Sequence, residues 1–185
     1  MNDVGTGSAR RRELLEAAYG YVLTHGLADL SLRPLAAAIG SSPRVLLLLF
    51  GSKDGLVQAL LARARTDERV VLDRVRQAGV THRVDVTRAI WAWLAAPEHR
   101  GLLTLWLEGY ARSLVERDGA WAGFAVRTVD DWLAVLAEVG VTDRANATLL
   151  LAVLRGVLLD LLATGDVERT SAAVERFLDT LSDDG

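Results

Sequence analysis

The sequence predicts an all-α protein: an N-terminal three-helix unit with a helix-turn-helix, then a larger helical domain, about nine helices in all. Three observations carry this. Apolar residues recur at helical spacing along most of the chain, with few alternating β-branched runs and no strand–helix alternation. Ala, Leu and Arg, all strong helix formers, dominate, and only three prolines occur in 185 residues. The stretch Leu30–Lys53, LSLRPLAAAIGSSPRVLLLLFGSK, reads as two short helices joined by a tight turn.

Residues 1–8 are small and polar and are expected to be disordered. A first helix is expected from Ser8 to His25, with Leu14, Leu15, Ala18 and Val22 on its buried stripe and Gly26 ending it. Ser31 is placed to cap the second helix, whose apolar positions are Leu32, Leu35, Ala36 and Ile39. Gly40 suits the turn. Ser42 is an N-cap for the third helix and Pro43 its first residue, where a missing N–H costs nothing. A helix-turn-helix presents the start of its second helix to the DNA major groove.

A long fourth helix starts near Ser52 and carries Leu56, Leu60 and Ala64 toward Ala78. Further helices are expected over 84–96, 98–117, 119–139, 143–164 and 167–182, separated by Pro97, Gly119, Gly140 and Gly165. The domain boundary falls at 55/56: residues 1–55 as the helix-turn-helix domain, 56–185 as the second domain.

Composition narrows the function classes. The chain has no cysteine, which excludes disulfides and thiolate metal sites. No apolar signal region opens it, and its longest uninterrupted apolar runs, Val45–Phe50 and Leu149–Leu154, are far shorter than a bilayer span. The expectation is a soluble, cytoplasmic protein without a membrane partner. Net charge is −3, with +1 on residues 1–55 and −4 on the remainder. That permits a small DNA-facing patch on an acidic body and argues against indiscriminate coating of nucleic acid. His25, His82 and His99 are far apart, no HExxH or G-x-S-x-G motif or phosphate loop occurs, and Asp130 and Asp131 diverge on a helix. Neither catalysis, nor a cofactor, nor a metal site is expected.

The N-terminal residues resemble the TetR family of bacterial transcriptional regulators. The matching pieces are Arg12, Ala17-Ala18, His25-Gly26, Leu30-Ser31-Leu32, Leu35-Ala36, Gly40-Ser41-Ser42 and Phe50-Gly51-Ser52-Lys53-Asp54-Gly55-Leu56. The motif match covers about the first 60 residues; beyond them the resemblance rests on length and helix count. It implies an all-helical homodimer with an N-terminal DNA-binding unit and a larger domain holding a small-molecule pocket. Most such proteins repress transcription until a ligand shifts the dimer geometry.

Candidate DNA contacts follow. Arg44 suits a bidentate bond to guanine, the alternative being a solvated side chain. Ser31, Ser42 and Pro43 lie at helix starts, where hydroxyl or backbone N–H groups meet phosphates; simple capping is the competing role. Arg33 is a phosphate candidate, Lys53 is one by resemblance, and Arg10–Arg12 extend toward backbone or minor groove unless merely solvated.

One departure stands out. Where the family usually has aromatic and histidine residues before the phenylalanine, this chain has Leu47, Leu48 and Leu49. With Val45, Leu46 and Leu49 packed inward, Arg44, Leu47 and Leu48 turn outward together. The two leucines then meet thymine methyl groups, or mark weakened or lost DNA binding, or belong to a helix rotated to bury them. A dimeric helical sensor or partner-binding protein without operator recognition is therefore the alternative function.

All five tryptophans lie between Trp91 and Trp132. Trp106 and Tyr110 are a turn apart, while Trp121, Phe124, Thr128 and Trp132 fall on one stripe of the helix expected over 119–139, eleven residues making nearly three turns. Aromatics at this spacing are most often core. Their concentration where the family keeps its cavity makes Trp91, Trp106, Tyr110, Trp121, Phe124, Thr128 and Trp132 candidate contacts to a small apolar or aromatic effector, with Glu108, Arg112 and Arg127 as polar anchors, surface salt bridges being the more usual role of the two arginines.

The helix over 145–163 is apolar all round, and the last helix adds Val174, Phe177, Leu178 and Leu181. Leu149, Ala152, Gly156 and Leu159 with those four form a candidate homodimer interface of four-helix type. Coverage within one chain is the competing account. The partners expected for this chain are thus a double-stranded DNA operator, a small apolar or aromatic effector and a second copy.

Overall fold

The computed structural model describes residues 3–27, 29–77 and 83–182. Among these the chain is helical, with nine α-helices: α1 (Asp3–His25), α2 (Leu32–Ala38), α3 (Pro43–Phe50), α4 (Lys53–Gln77), α5 (Arg83–Leu94), α6 (Arg100–Val115), α7 (Phe124–Glu138), α8 (Arg144–Thr164) and α9 (Val167–Ser182). Short 3₁₀ turns precede α6 and α7. His82 lies outside the described residues.

Most predicted elements appear within two or three residues of their expected bounds, and two differ. The first helix starts at Asp3 instead of Ser8. Once its packed part is fixed, extension adds a hydrogen bond for each residue ordered, so a polar overhang stays helical. The helix expected over 119–139 is broken: Gly119–Trp121 is a 3₁₀ turn, Gly123 takes φ 67°, and α7 begins only at Phe124. A residue in that left-handed region cannot continue a right-handed helix. Trp121 is therefore not on the helix that carries Thr128 and Trp132.

Two compact units emerge. The first combines residues 1–66 with 101–125; the second combines 67–100 with 126–185. In the first, α1, α2 and α3 pack around Leu14, Ala18, Val22, Leu35 and Leu46, all nearly or fully buried. Leu56 and Leu60 of α4 and Leu105 of α6 close the same core. Arg63 ties α4 to α1: its Nε donates to Glu16 at 2.8 Å and its guanidinium lies 4.6 Å from the Tyr19 ring centre.

The second unit is built on α5, α8 and α9, which pack on one another. Val86 and Ile90 of α5, Leu154 and Leu158 of α8 and Val174 and Leu178 of α9 are buried. Asp143 caps α8 by accepting the Asn146 N–H at 2.9 Å, and Gly165 ends it with φ 71°. By length and hydropathy alone, α8 is the single helix among the described residues fit to cross a membrane. Counting uninterrupted runs missed it, because Arg155 and Gly156 interrupt its apolar residues. Its Leu150, Leu151, Leu154, Leu158 and Leu161 are core, so burial accounts for one of its two apolar sides.

Candidate nucleic-acid interface

The helix-turn-helix is built as its local sequence dictates. Gly40 takes φ 63° in the turn. Ser42 is the N-cap of α3, its Oγ accepting the Val45 N–H at 3.2 Å, and Pro43 occupies the first turn. At the start of α2, Ser31 has the extended backbone of a cap but its hydroxyl makes no capping bond. Capping is therefore the work of Ser42 and not of the Ser31 side chain.

The rotation of α3 follows from which of its residues the core takes. Leu46 is 1% exposed and Phe50 8%, and Val45 and Leu49 pack against the same core. Helical geometry then turns Arg44, Leu47 and Leu48 outward, with Leu47 41% and Leu48 81% exposed. The helix is not rotated to hide its leucines.

Arg11 is placed differently from the sequence expectation. Its Nε donates to the Leu49 carbonyl oxygen at 3.3 Å and its guanidinium lies 4.9 Å from the Phe50 ring centre. A cation at a helix C-terminus meets unpaired carbonyl groups and the negative end of the dipole. Arg11 thus fastens α1 to the end of α3. Arg10 forms an exposed pair with Glu13 at 2.8 Å, an interaction of little energetic weight.

Ser31, Arg33 and Lys53 meet around an open concavity whose remaining lining is Asp29, Leu30 and Leu32. Two cations and a free hydroxyl give it the chemistry of an anion contact, while Asp29 supplies a negative edge. Lys53 opens α4, and the Ser52 Oγ accepts the Gly55 N–H there at 2.9 Å. This gathers all eight candidate DNA residues, Ser31, Arg33, Ser42, Pro43, Arg44, Leu47, Leu48 and Lys53, in the first unit.

The candidate effector residues are divided. Trp106, Tyr110, Trp121 and Phe124 belong to the first unit, where Trp106 and Tyr110 lie 5.4 Å apart and Phe124 is almost fully buried. The Trp106 indole N–H is buried without a hydrogen-bond partner. Trp91, Thr128 and Trp132 belong to the second unit. There the Trp91 indole N–H donates to Ser171 Oγ at 3.0 Å, and the buried Thr128 hydroxyl has no partner. Of the polar anchors, Glu108 accepts the Leu27 backbone N–H, and Arg112 pairs with Glu116 at 2.7 Å beside Trp121. Sequence reasoning missed the Glu108 bond because 81 positions separate its partners.

The candidate dimer residues also separate. Val174 and Leu178 are 0% and 1% exposed inside the second unit, which removes them from any interface; α5 and α8 already cover them. Phe177 and Leu181 are half-buried. Leu149, Ala152, Gly156 and Leu159 form a continuous outward stripe on α8, with open space beside Gly156.

Solved structures share this fold. The multidrug binding protein EbrR in complex with malachite green matches with TM-score 0.69 and 25% identity, covering 93% of this chain and 97% of that one. The EbrR complex with proflavin matches with TM-score 0.67 and 27% identity, over 93% and 99% of the two chains. A putative TetR-family transcriptional regulator from Rhodococcus sp. matches with TM-score 0.65 and 22% identity, over 95% and 97%. The chain has the fold of these regulators. The likeness extends over both units, whereas the sequence motifs cover only the start of the chain. The sequence matches no protein-family model and no curated protein.

Proposed function

We propose that this TetR-family chain is a ligand-responsive DNA-binding transcriptional regulator, acting as a homodimeric repressor released from a palindromic operator by a small apolar molecule. One observation carries the reading. The outward face of α3, with Arg44 at its start, stands in the same unit as the cationic concavity of Ser31, Arg33 and Lys53. A groove-entering helix flanked by phosphate-binding groups is what a helix-turn-helix needs. The likeness to EbrR, solved with imidazole, malachite green and proflavin, supports the small-molecule half of the proposal.

Residues 1–55 would read DNA, and the exposed α8 stripe would pair the subunits. In the first unit, the aromatic residues Trp106, Tyr110, Trp121 and Phe124 would receive the effector. A ligand acts by preferring the dimer state whose reading heads are wrongly spaced, a shift limited by its differential affinity for the two states. The α4 helix runs unbroken from residue 53 past the end of the first unit at 66, which makes it the covalent lever.

The test is selection of random duplex DNA by the purified protein at fixed salt. A two-fold site with half-sites about 34 Å apart, or a longer regular spacing, is expected. Arg44→Ala should relax preference at one base pair per half-site. Lys53→Ala should weaken binding to all sequences alike and reduce the salt slope by about one. Failure to enrich any sequence overturns the reading.

A further inference from the structure

We infer that α3 reads its site chiefly through thymine methyl groups, with Leu47 and Leu48 as the specificity-determining residues beside one guanine contact from Arg44. The inference rests on the DNA-binding reading above and names what that face recognises.

The argument begins with what α3 lacks. From Val45 to Phe50 it holds no side chain able to donate or accept a hydrogen bond. Arg44 is the one polar side chain the helix presents outward, and Leu47 and Leu48 stand one turn along the same face. Base edges in the major groove offer hydrogen-bonding atoms and a single kind of apolar group, the thymine C5 methyl. A leucine exposed over 81% of its surface gains nothing from a carbonyl or an amino edge, and gains burial from a methyl.

Size and charge favour this occupant over a protein. Eight residues of helix span about 12 Å, the width of the major groove. Two leucines fall far short of the roughly 800 Å² per partner that a stable protein interface buries. Arg33, Arg44 and Lys53 in the same unit suit a polyanion. Residues one turn apart on α3 are separated by about 5 Å, so the thymines should lie within about two base pairs of the guanine met by Arg44.

The experiment replaces, one at a time, each thymine of the selected operator half-site by deoxyuridine, which removes only the methyl group. Binding is measured for the full-length protein and for Leu47→Ala, Leu48→Ala and the double variant. With wild type, one or two positions should lose about 3- to 5-fold in affinity, the worth of one buried methyl. In the double variant the same replacements should cost nothing further, while the salt slope stays unchanged because no phosphate contact is lost. Both leucines are exposed, so melting temperatures should match wild type. If wild type holds its operator and no deoxyuridine substitution weakens it, the inference falls and the DNA-binding reading stands. If no sequence is selected, both fall. If the leucine variants change the mass of the DNA-free protein and leave operator affinity intact, the patch is a self-association surface and the inference is overturned.

Discussion

The Glu108 carboxylate accepts a hydrogen bond from the backbone N–H of Leu27 at 2.6 Å, fastening α6 to the segment between α1 and the helix-turn-helix. The neighbouring Gly26 leaves room for it: a Cβ there would sit 2.9 Å from a Glu108 carboxylate oxygen. Leu27 itself is 1% exposed, so losing its acceptor leaves a shielded donor unpaired. Glu108→Ala should cost about 1–3 kcal/mol. At about 2–4 °C per kcal/mol for a chain of this size, the melting temperature should fall by several degrees. Glu108→Gln keeps an acceptor oxygen and should lose less. Thermal unfolding followed by circular dichroism compares the two, and equal losses would contradict this role.

Gly101 marks a second close approach between α6 and α1. A Cβ at Gly101 would lie 2.5 Å from the Leu23 carbonyl oxygen, and backbone cannot swing aside as a side chain can. Gly101→Ala should therefore destabilise by about 1–3 kcal/mol, the usual cost of overpacking. Gly156, in the middle of α8, is the control: nothing lies within 4 Å of its missing Cβ. Gly156→Ala should raise folding stability by about 0.5–1 kcal/mol through helix propensity alone. Urea unfolding at low protein concentration should show the opposite signs.

These contacts separate what the sequence discloses from what it hides. Caps, turn glycines and apolar spacing are local, which is why α2, α3 and α8 could be placed from the sequence. The inward set Val45, Leu46 and Leu49 followed from helical periodicity, and with it the exposure of Leu47 and Leu48. Glu108 meeting Leu27, or Arg11 meeting Leu49, depends on tertiary approach across 81 and 38 positions. No spacing rule encodes either. Val174 and Leu178 failed as interface residues for a related reason: an apolar stripe says that a face is covered, not which element covers it.

In the second unit, the hydrogen bond from Arg169 holds the Asp160 carboxyl below the usual carboxylate range, and Arg88 does the same for Glu175. The contacts are bidentate: Arg169 reaches both Asp160 oxygens at 2.6 and 2.8 Å, and Arg88 both Glu175 oxygens at 3.0 and 2.9 Å. A carboxylate depressed in the folded state stabilises fully above its unfolded value and ceases to do so as pH falls through the folded one. The stability difference between wild type and Asp160→Asn should thus be constant near neutrality. Below about pH 4, the ordinary aspartate value, it should shrink. Denaturant unfolding across pH 7 to 3 measures it. A difference that persists unchanged at the acid end would show that the ion pair is not its source.

The exposed stripe of α8 carries the last prediction. Leu149 and Leu159 are 52% and 53% exposed, Ala152, Gly156 and Ala163 lie beside them, and the opposite side of the helix is core. Leaving such a stripe in water forgoes about 25 cal/mol for each Å² that a second copy would cover, and open space at Gly156 lets two helices approach closely. Asp in place of either leucine would put a charge where the partner's apolar face belongs, with no cation among the five stripe residues to pair it. Leu149→Asp and Leu159→Asp should each shift the protein toward a single-chain mass in light scattering, by at least ten-fold in dissociation constant for a loss above about 1.4 kcal/mol. Because both side chains are exposed within one chain, helicity by circular dichroism should be retained. The monomeric variants should also lose operator binding more steeply than Arg44→Ala, since a lone reading head forgoes the second half-site entirely. A variant that becomes monomeric yet binds a full operator as wild type does would show that this face does not pair the subunits for DNA recognition.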